Sequence, residues 1–405
     1  MLITRIVLAV NPTAGQGRAQ GLAVLVAGRL RAAGVQVDEL VGKDAEDLRG
    51  QVRHALDQSL DAYDQPVDGL DQPLDVLGQP VDAFDHRVDA LVVVGGDGMV
   101  HLGVNQVAGT AVPLGIVAAG TGNDVARALG LPIRDAVAGA DVVLRGLGLP
   151  TEPVDPTHLT EPTDPTDLTE PVALSEPVAR SEPVAPGSMF APGTLNAHRR
   201  TIDAVRCVPT PSSDDLVSGD DSPGPAGAPA PDHREVWFAG VLGAGFDALV
   251  NERANGWTWP RGRLKYVLAM LRELPVFRPR TYLIDLDGQR LRTAAMLVAV
   301  ANGPSYGGGM RVAPDARLDD GLLDVMVVAP LSRIRFLSIF PRVYAGTHVR
   351  DPQVSIRRGR RVGLHAPGIV AYADGERIGA LPLTCEVVPA AVIVLAPRAA
   401  ETADG

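Results

Sequence analysis

The sequence predicts an α/β N-terminal half built on a parallel sheet, followed by a mostly antiparallel, β-rich C-terminal half. Three observations carry that reading. Three glycine-rich turns, Asn11-Pro12-Thr13-Ala14-Gly15-Gln16-Gly17, Gly95-Gly96-Asp97-Gly98-Met99 and Gly120-Thr121-Gly122-Asn123-Asp124, each follow a short aliphatic run and precede a stretch of helical pattern. Up to about Leu147, strand-like and helix-like segments alternate, the order a parallel sheet with crossover helices requires. From Thr201 onward, strand-like runs follow one another with few helices between them.

The first strand is expected over 3–10. It reads better as a strand than as a signal h-region, because Asn11-Pro12 and the glycine turn follow directly and no small-residue cleavage site with a charged n-region is seen. The β-branched and aliphatic runs 90–94 and 113–118 are the strands that lead into the second and third turns. In the second half, 202–208, 235–242, 281–286, 294–301, 323–328, 353–356, 361–365 and 391–395 read as strands. Helices are expected over 263–274 and 334–344, and the first places Leu264, Val267, Leu268 and Leu271 on one face, which is expected to pack on the core.

Three stretches stand apart. Residues 57–88 repeat an Asp/Gln/Pro/Val/Leu theme, 151–186 repeat Thr/Ser-Glu-Pro, and 209–232 are rich in Pro, Gly, Ser and Asp. Proline at this density blocks helix and interior strand, and so little apolar surface cannot offset the entropy of ordering, so all three are expected to be disordered or loosely extended. The resulting division is an α/β domain over 1–147 with an insert at 57–88, an insert over 148–200, a β-rich domain over 201–397 with an insert at 209–232, and a tail over 398–405.

Composition narrows the class. A chain of 405 residues, 46% of them hydrophobic, suits two domains with real cores. No apolar run approaches the ~18 residues that a membrane span needs. Two cysteines, Cys207 and Cys385, make neither a disulfide framework nor a metal spacing, which fits a reducing cytoplasm. The net charge of −11 is uneven: 57–89, 150–182 and 210–232 carry −8, −7 and −5, which leaves +9 on the rest. A basic body with acidic inserts suits phosphate-rich ligands or an anionic lipid surface, and nucleic acid is not expected as a partner.

Glycine at a strand-to-helix turn lets backbone N–H groups approach an anion, and the helix N-terminus adds positive potential. Three such turns on neighbouring strands would form a phosphate cradle. The spacing Gly15-x-Gly17 lacks the Gly-x-Gly-x-x-Gly pattern, which argues against a dinucleotide-binding oxidoreductase. Asp97 cannot face a phosphate without a cation between them and so reads as a magnesium-linked residue.

Six motifs occur in order: Asn11-Pro12-x-x-Gly15-x-Gly17, Gly95-Gly96-Asp97-Gly98, Gly120-Thr121-Gly122-Asn123-Asp124 with Ala126-Arg127, Gly243-Ala244-Gly245-Phe246-Asp247, Leu318-Asp319-Asp320-Gly321-Leu322-Leu323-Asp324 and Asp374-Gly375-Glu376. Together they resemble the diacylglycerol kinase catalytic family, which includes bacterial soluble lipid kinases and the sphingosine and ceramide kinases. The resemblance covers nearly the whole chain apart from the inserts. It implies a Rossmann-like α/β domain followed by a β-sandwich lipid domain, with ATP in the cleft between them and the last strand returning to the first domain.

The resemblance also implies roles. Asn11, Pro12, Thr13, Ala14 and Gly15, then Gly95, Gly96, Asp97, Gly98, Met99 and Val100, then Gly120, Thr121, Gly122 and Asn123, would bind the nucleotide. Magnesium would sit at Asp320 with the carbonyls of Arg317 and Leu322, although a plain Asp-rich turn remains the competing reading. Glu376 would be the general base with Asp374 in support, and Asp97 stays a rival for the base.

The expected activity is ATP- and Mg²⁺-dependent phosphorylation of a primary hydroxyl, of diacylglycerol or a related lipid. The expected setting is cytoplasmic, peripheral at the inner face of an anionic membrane. A homodimer is left open. The basic clusters at 253–280 and 333–361 could meet anionic headgroups or be ordinary surface charge. Met99 stands where threonine is usual and Leu102 where glutamate is usual, which bears on nucleotide preference. The alternatives are a sphingoid or ceramide kinase, a soluble NAD kinase-like enzyme, and a catalytically weak lipid-binding regulator.

Overall fold

The computed structural model describes residues 4–11, 18–64, 87–151, 197–210, 235–257 and 263–398. In the first half, strands β1 (Arg5–Val10), β2 (Gln36–Val41), β3 (Ala90–Gly95) and β4 (Leu114–Ala118) alternate with helices α1 (Arg18–Ala32), α2 (Ala45–Asp64), α3 (Asp97–Val107), α4 (Asp124–Ala128) and α5 (Ala136–Gly146). The strands run parallel in the order β2-β1-β3-β4. Strands β3 and β4 are buried at every residue, as uninterrupted aliphatic runs covered on both faces must be. β2 alternates between exposed and covered positions because it forms the edge.

The second half contains β5 (Ala197–Pro209), β6 (Val236–Phe238), β7 (Val241–Gly245), β8 (Arg280–Leu286), β9 (Gln289–Ala295), β10 (Leu297–Ala301), β11 (Leu323–Val328), β12 (Val354–Gly359), β13 (Arg361–His365), β14 (Val370–Ala373), β15 (Glu376–Ala380) and β16 (Leu383–Pro397). Helices α6 (Phe246–Asn255), α7 (Arg263–Glu273) and α8 (Arg333–Ala345) punctuate them. A six-stranded sheet, β12-β11-β10-β7-β14-β15, is antiparallel throughout. It packs face to face on β5, β8, β13 and β16 through Val205, Phe238, Leu242, Tyr282, Val300, Leu323 and Val362. Its other face is covered by α6, α7 and α8.

The two halves share one sheet. β16 pairs antiparallel with β5 and β13 in the sandwich and parallel with β4 at Val394 and Leu395, so a ten-stranded sheet runs through both halves. The last strand therefore does return to the first unit.

Several boundaries move from their expected positions. The segment 57–64 continues helix α2, and β5 begins at Ala197, inside the stretch assigned to an insert. Residues 65–86, 152–196, 211–234 and 399–405, which hold the rest of the inserts and the tail, lie outside the described residues. Helix α7 packs by Ala269 and Met270, with Leu274 just beyond it, whereas Leu268 and Leu271 face solvent. Leu264 and Val267 lie outside the residues whose side chains are described. The expected core face is thus rotated, because α7 docks beside α6 over the sheet with Glu273 turned inward to Arg253 (Nε to Oε1, 2.5 Å).

Candidate active site

The second glycine turn ends β3 and opens α3 at Asp97; the third follows β4 and opens α4 at Asp124. Because β3 and β4 are parallel neighbours, both turns emerge at one edge of the sheet. They touch directly: a side chain on Gly120 would come 2.4 Å from the Cα of Gly96. Asp97 closes the junction, its carboxylate accepting the backbone N–H groups of Asn123 (2.8 Å) and Asp124 (2.7 Å). Any Cβ at position 122 would lie 2.1 Å from Asp97 Oδ2.

Asn123 adopts a left-handed conformation (φ 58°), and its amide is spent within the loop: Oδ1 accepts from Gly120 N–H and Nδ2 donates to Gly120 O. Its role is therefore to hold the turn. Gly95 and Val100 likewise back the wall rather than line the cavity. Asn11 lines it, while Pro12, Thr13, Ala14 and Gly15 lie outside the described residues.

Opposite these turns stands the β14–β15 hairpin. Asp374 (φ 51°) and Gly375 (φ 88°) form its two-residue turn, the Asp-Gly arrangement with both φ values positive that matches strand twist. Glu376 is exposed and its Oε1 would sit 2.8 Å from a side chain on Gly98, so the carboxylate overhangs the second glycine turn. Asp374 is buried, and its two oxygens accept the N–H groups of Ala239, Gly240 and Val241 at 3.1 to 3.3 Å. Burial pushes its carboxyl up to about 7; the Ala239 N–H opposes the rise and the charge on Asp97 adds to it. Asp374 thus holds the 239–241 bend against the cleft.

Asp97 is also raised, first by burial and then by the charge on Asp124. Two carboxylates side by side at a glycine-rich edge favour a cation, and each Asp97 oxygen keeps a lone pair beyond its N–H bond. This edge fits Mg²⁺ carried with nucleotide phosphates. The turn Arg317–Leu322 fits less well. Asp320 Oδ2 pairs with Arg358 (2.5 Å) and its Oδ1 accepts Leu322 N–H (3.1 Å), so an arginine already occupies the place of the cation. Arg317 pairs with Asp319, which also meets Arg200. Asp203 fastens this turn by accepting Gly321 N–H (2.6 Å), and none of Arg317, Asp320 or Leu322 lines the cavity. Among the described residues no cluster of three or more His, Cys, Asp or Glu side chains could hold a metal ion by itself.

The turn Gly307-Gly308-Gly309 is clamped rather than loose. Asp124 accepts the N–H groups of Gly308 and Gly309, both at 2.7 Å, and so ties the first unit to the second across the cleft. Asp319, Asp324, Asp124 and Asp247 are the carboxylates of the quoted motifs to which sequence reasoning assigned no role, and the last two line the cavity. Both lie in motifs of glycine followed by acid, but their partners are distant in sequence.

A single cavity of about 820 Å³ joins these parts. One end carries Asn11, Asp97, Gly98, Thr121, Gly122 and Glu376, with Ala45, Leu48, Met99 and Leu102 as an apolar wall. The other end is an apolar chamber of Phe246, Val250, Met270, Leu297, Phe336, Ile339, Phe340 and Val343. Phe246 meets Phe277 and Phe336 edge-on, with ring centroids 5.2 and 5.0 Å apart. Such pairs add about 0.5–1.5 kcal/mol each beyond area burial and stiffen the chamber. One space therefore has a glycine-rich edge with Asp97 and Glu376 and an apolar end.

Comparison with known proteins gives this pairing of ends a family. Residues 5–154 match the diacylglycerol kinase catalytic domain, and residues 240–396 match the YegS C-terminal NAD kinase beta sandwich-like domain. A diacylglycerol kinase of Mycobacterium tuberculosis is 33% identical over 397 residues, 98% of this chain and 96% of that protein. The chain belongs to the diacylglycerol kinase family. It is a lipid kinase. The diacylglycerol kinase of Bacillus subtilis is 24% identical over 296 residues, 72% of each chain. A crystal structure of a diacylglycerol kinase from Bacillus anthracis shares the fold of this kinase, with a TM-score of 0.54 at 16% identity over 98% of each chain. No helix among the described residues is long and apolar enough to cross a membrane.

Proposed function

We propose that this kinase transfers the γ-phosphate of ATP to the primary hydroxyl of diacylglycerol, giving phosphatidic acid. The observation that carries the reading is the continuity of the cavity, which joins Asp97, Gly98 and Glu376 to an apolar chamber walled by Phe246, Phe336 and Phe340. Phosphoryl transfer is catalysed mainly by positioning and charge neutralisation. The N–H-rich edges of the glycine turns hold the phosphates, and the chamber draws in acyl chains, leaving the hydroxyl at the polar end. Mg²⁺ bound with ATP offsets phosphate charge beside Asp97 and Asp124.

Glu376 is the general base. It overhangs Gly98, is exposed to the cavity, and is not consumed by the fold, unlike Asp374 with its three N–H partners. The acceptor oxygen passes its proton to the Glu376 carboxylate as it forms a bond to the γ-phosphorus, and the bond from that phosphorus to the ADP oxygen breaks. Asp97 positions the third glycine turn through its bonds to Asn123 and Asp124.

The kinase would work peripherally at an anionic membrane on the cytoplasmic side. The outer faces of α7 and α8 and the segment 274–279 that follows α7 support this, because they expose Leu271, Val276 and Ile334 together with Arg272, Arg278 and Arg333.

The test is transfer of labelled γ-phosphate from ATP with Mg²⁺ to diacylglycerol in anionic vesicles. Wild type is expected to yield labelled phosphatidic acid. Glu376→Ala should lower kcat by about 100-fold or more while ATP still binds, since a positioned base typically contributes 10²–10⁴-fold. Normal turnover in folded Glu376→Ala would transfer the base role to another residue.

A further inference from the structure

Helices α2 and α3 follow parallel strands, so their first turns rise at the same edge of the sheet as the glycine turns. Leu48 and Val52 of α2 share a buried core with Met99 and Leu102 of α3. Ala45, Leu48 and Arg49 stand at i, i+3 and i+4 on α2, one face of a helix, and all three line the cavity. From α3 the cavity takes Asp97, Gly98, Met99 and Leu102. Leu102 lies four residues past Gly98, about 6 Å along the helix axis from the second glycine turn. Ala45, Leu48, Met99 and Leu102 thus form a slot whose aliphatic walls suit the faces of a purine with its phosphates at the glycine edge.

Arg49 is the one charged side chain of this slot, and Leu102 stands where the family usually has glutamate, so no carboxylate accompanies it there. Arg49 is half-buried and makes no ion pair or side-chain hydrogen bond among the described residues. Its charge reaches His101 of α3: burial first, and then Arg49, hold that imidazole down to about 4. That coupling needs the guanidinium on the α3 side of α2, where the slot lies.

An arginine offers N–H donors in a planar fork and no acceptor, so it reads acceptor groups. Guanine presents two adjacent acceptors, O6 and N7, and the fork bonds both; adenine presents N7 beside an amino donor, which the fork cannot bond. We propose that Arg49 reads the purine base of the phosphate donor, and that this kinase uses GTP alongside ATP. This rests on reading the glycine-rich end of the cavity as the phosphate-donor site. ATP remains a donor because the aliphatic walls hold either ring. With GTP the transfer is otherwise the same: the acceptor oxygen bonds the γ-phosphorus and passes its proton to Glu376, and the bond from that phosphorus to the GDP oxygen breaks. A contact from Arg49 to phosphate would need only its charge, whereas a contact to the base needs its fork.

The test measures Kd of the full-length protein for MgATP, MgGTP and MgITP by calorimetry, and label transfer from each to 1,2-dioleoylglycerol in phosphatidylcholine–phosphatidylglycerol vesicles. Hypoxanthine carries the same O6 and N7 as guanine, so ITP should follow GTP. Wild type is expected to bind MgGTP and MgITP within about tenfold of MgATP, or tighter, and to label the lipid from GTP. Arg49→Ala should weaken GTP and ITP by about tenfold or more, with a several-fold smaller loss for ATP. Arg49→Lys, which keeps the charge and loses the fork, should not restore them. Wild-type GTP binding more than about tenfold weaker than ATP binding would overturn the assignment. So would equal losses on all three nucleotides, no loss on any, or recovery of wild-type GTP binding in Arg49→Lys. If the nucleotides bind as expected but dioleoylglycerol is labelled from none, the acceptor reading fails while Arg49 stands on the Kd values. If no nucleotide binds, both fail.

Discussion

Asp97 keeps its two backbone bonds only because residue 122 has no side chain. With a Cβ expected 2.1 Å from Asp97 Oδ2, Gly122→Ala must either displace the carboxylate or open the third glycine turn. Both outcomes separate the second and third glycine turns. The variant is expected to lose label transfer and ATP affinity by about tenfold or more and to melt earlier, by about 1–3 kcal/mol, as strained substitutions do. Gly21→Ala is the control: it lies within α1 with nothing near its Cβ, and alanine there should stabilise by about 0.5–1 kcal/mol. Calorimetry and ATP titration of the two variants check this, and unchanged ATP binding in Gly122→Ala would dismiss the clamp. The signal for this clamp was present in the sequence as two glycine turns, each with an acid, but the bond between positions 97 and 124 was not. Chain separation hides such a contact until β3 and β4 lie side by side.

Elements were legible where local pattern fixed them and illegible where a distant group broke them. The run 235–242 reads as one strand, yet it splits at Ala239 and Gly240 because Asp374 takes the N–H groups that a ladder would use. The run 294–301 splits at Met296, where the chain leaves β9 in one sheet for β10 in the other. The β14–β15 hairpin was announced by Asp374-Gly375, a strong turn signal read only for its carboxylates. On α7 the apolar face was real but its partner was not inferable: Leu271 is 48% exposed, with Val276 at 71% and Ile334 of α8 at 84%. Arg333 bonds Pro275 O and brings these residues into one patch. If this patch rests on lipid, Val276→Glu with Ile334→Glu should cut binding to phosphatidylglycerol vesicles by about tenfold. Turnover of a detergent-dispersed acceptor should be spared. Cosedimentation and a matched detergent assay read the two effects, and undiminished vesicle binding would exclude the patch.

At the scale of the molecule, β5 and β16 make one structure of two halves. Their antiparallel pairing runs from Leu383↔Pro209 to Pro397↔Ala197, with a shift between Val388 and Val392, and only its far end reaches β4. Cys207 and Cys385 lie directly opposite in that ladder, buried, with sulfurs 3.5 Å apart. The Cys207 contact, followed by burial, holds the Cys385 thiol well above its ordinary range, so it is a poor nucleophile. Neither thiol should react with an aromatic disulfide reagent in the native protein. Both should become reactive in the same urea range in which ellipticity is lost. Prompt labelling in buffer would mean that this seam opens independently of global unfolding.

By itself the sequence determined the α/β-then-β order and the family, because glycine turns, aliphatic runs and their sequence order are local properties of the chain. Tertiary structure decided which polar side chains are spent on the fold and which stay open. Asp374 and Asn123 are spent on backbone groups, Asp320 is matched by Arg358, Asp124 clamps a turn 184 residues away, and Glu376 stays open to the cavity. The reason is physical: a carboxylate's role depends on the donors and charges within a few ångströms of it, and in this fold those come from residues far away along the chain.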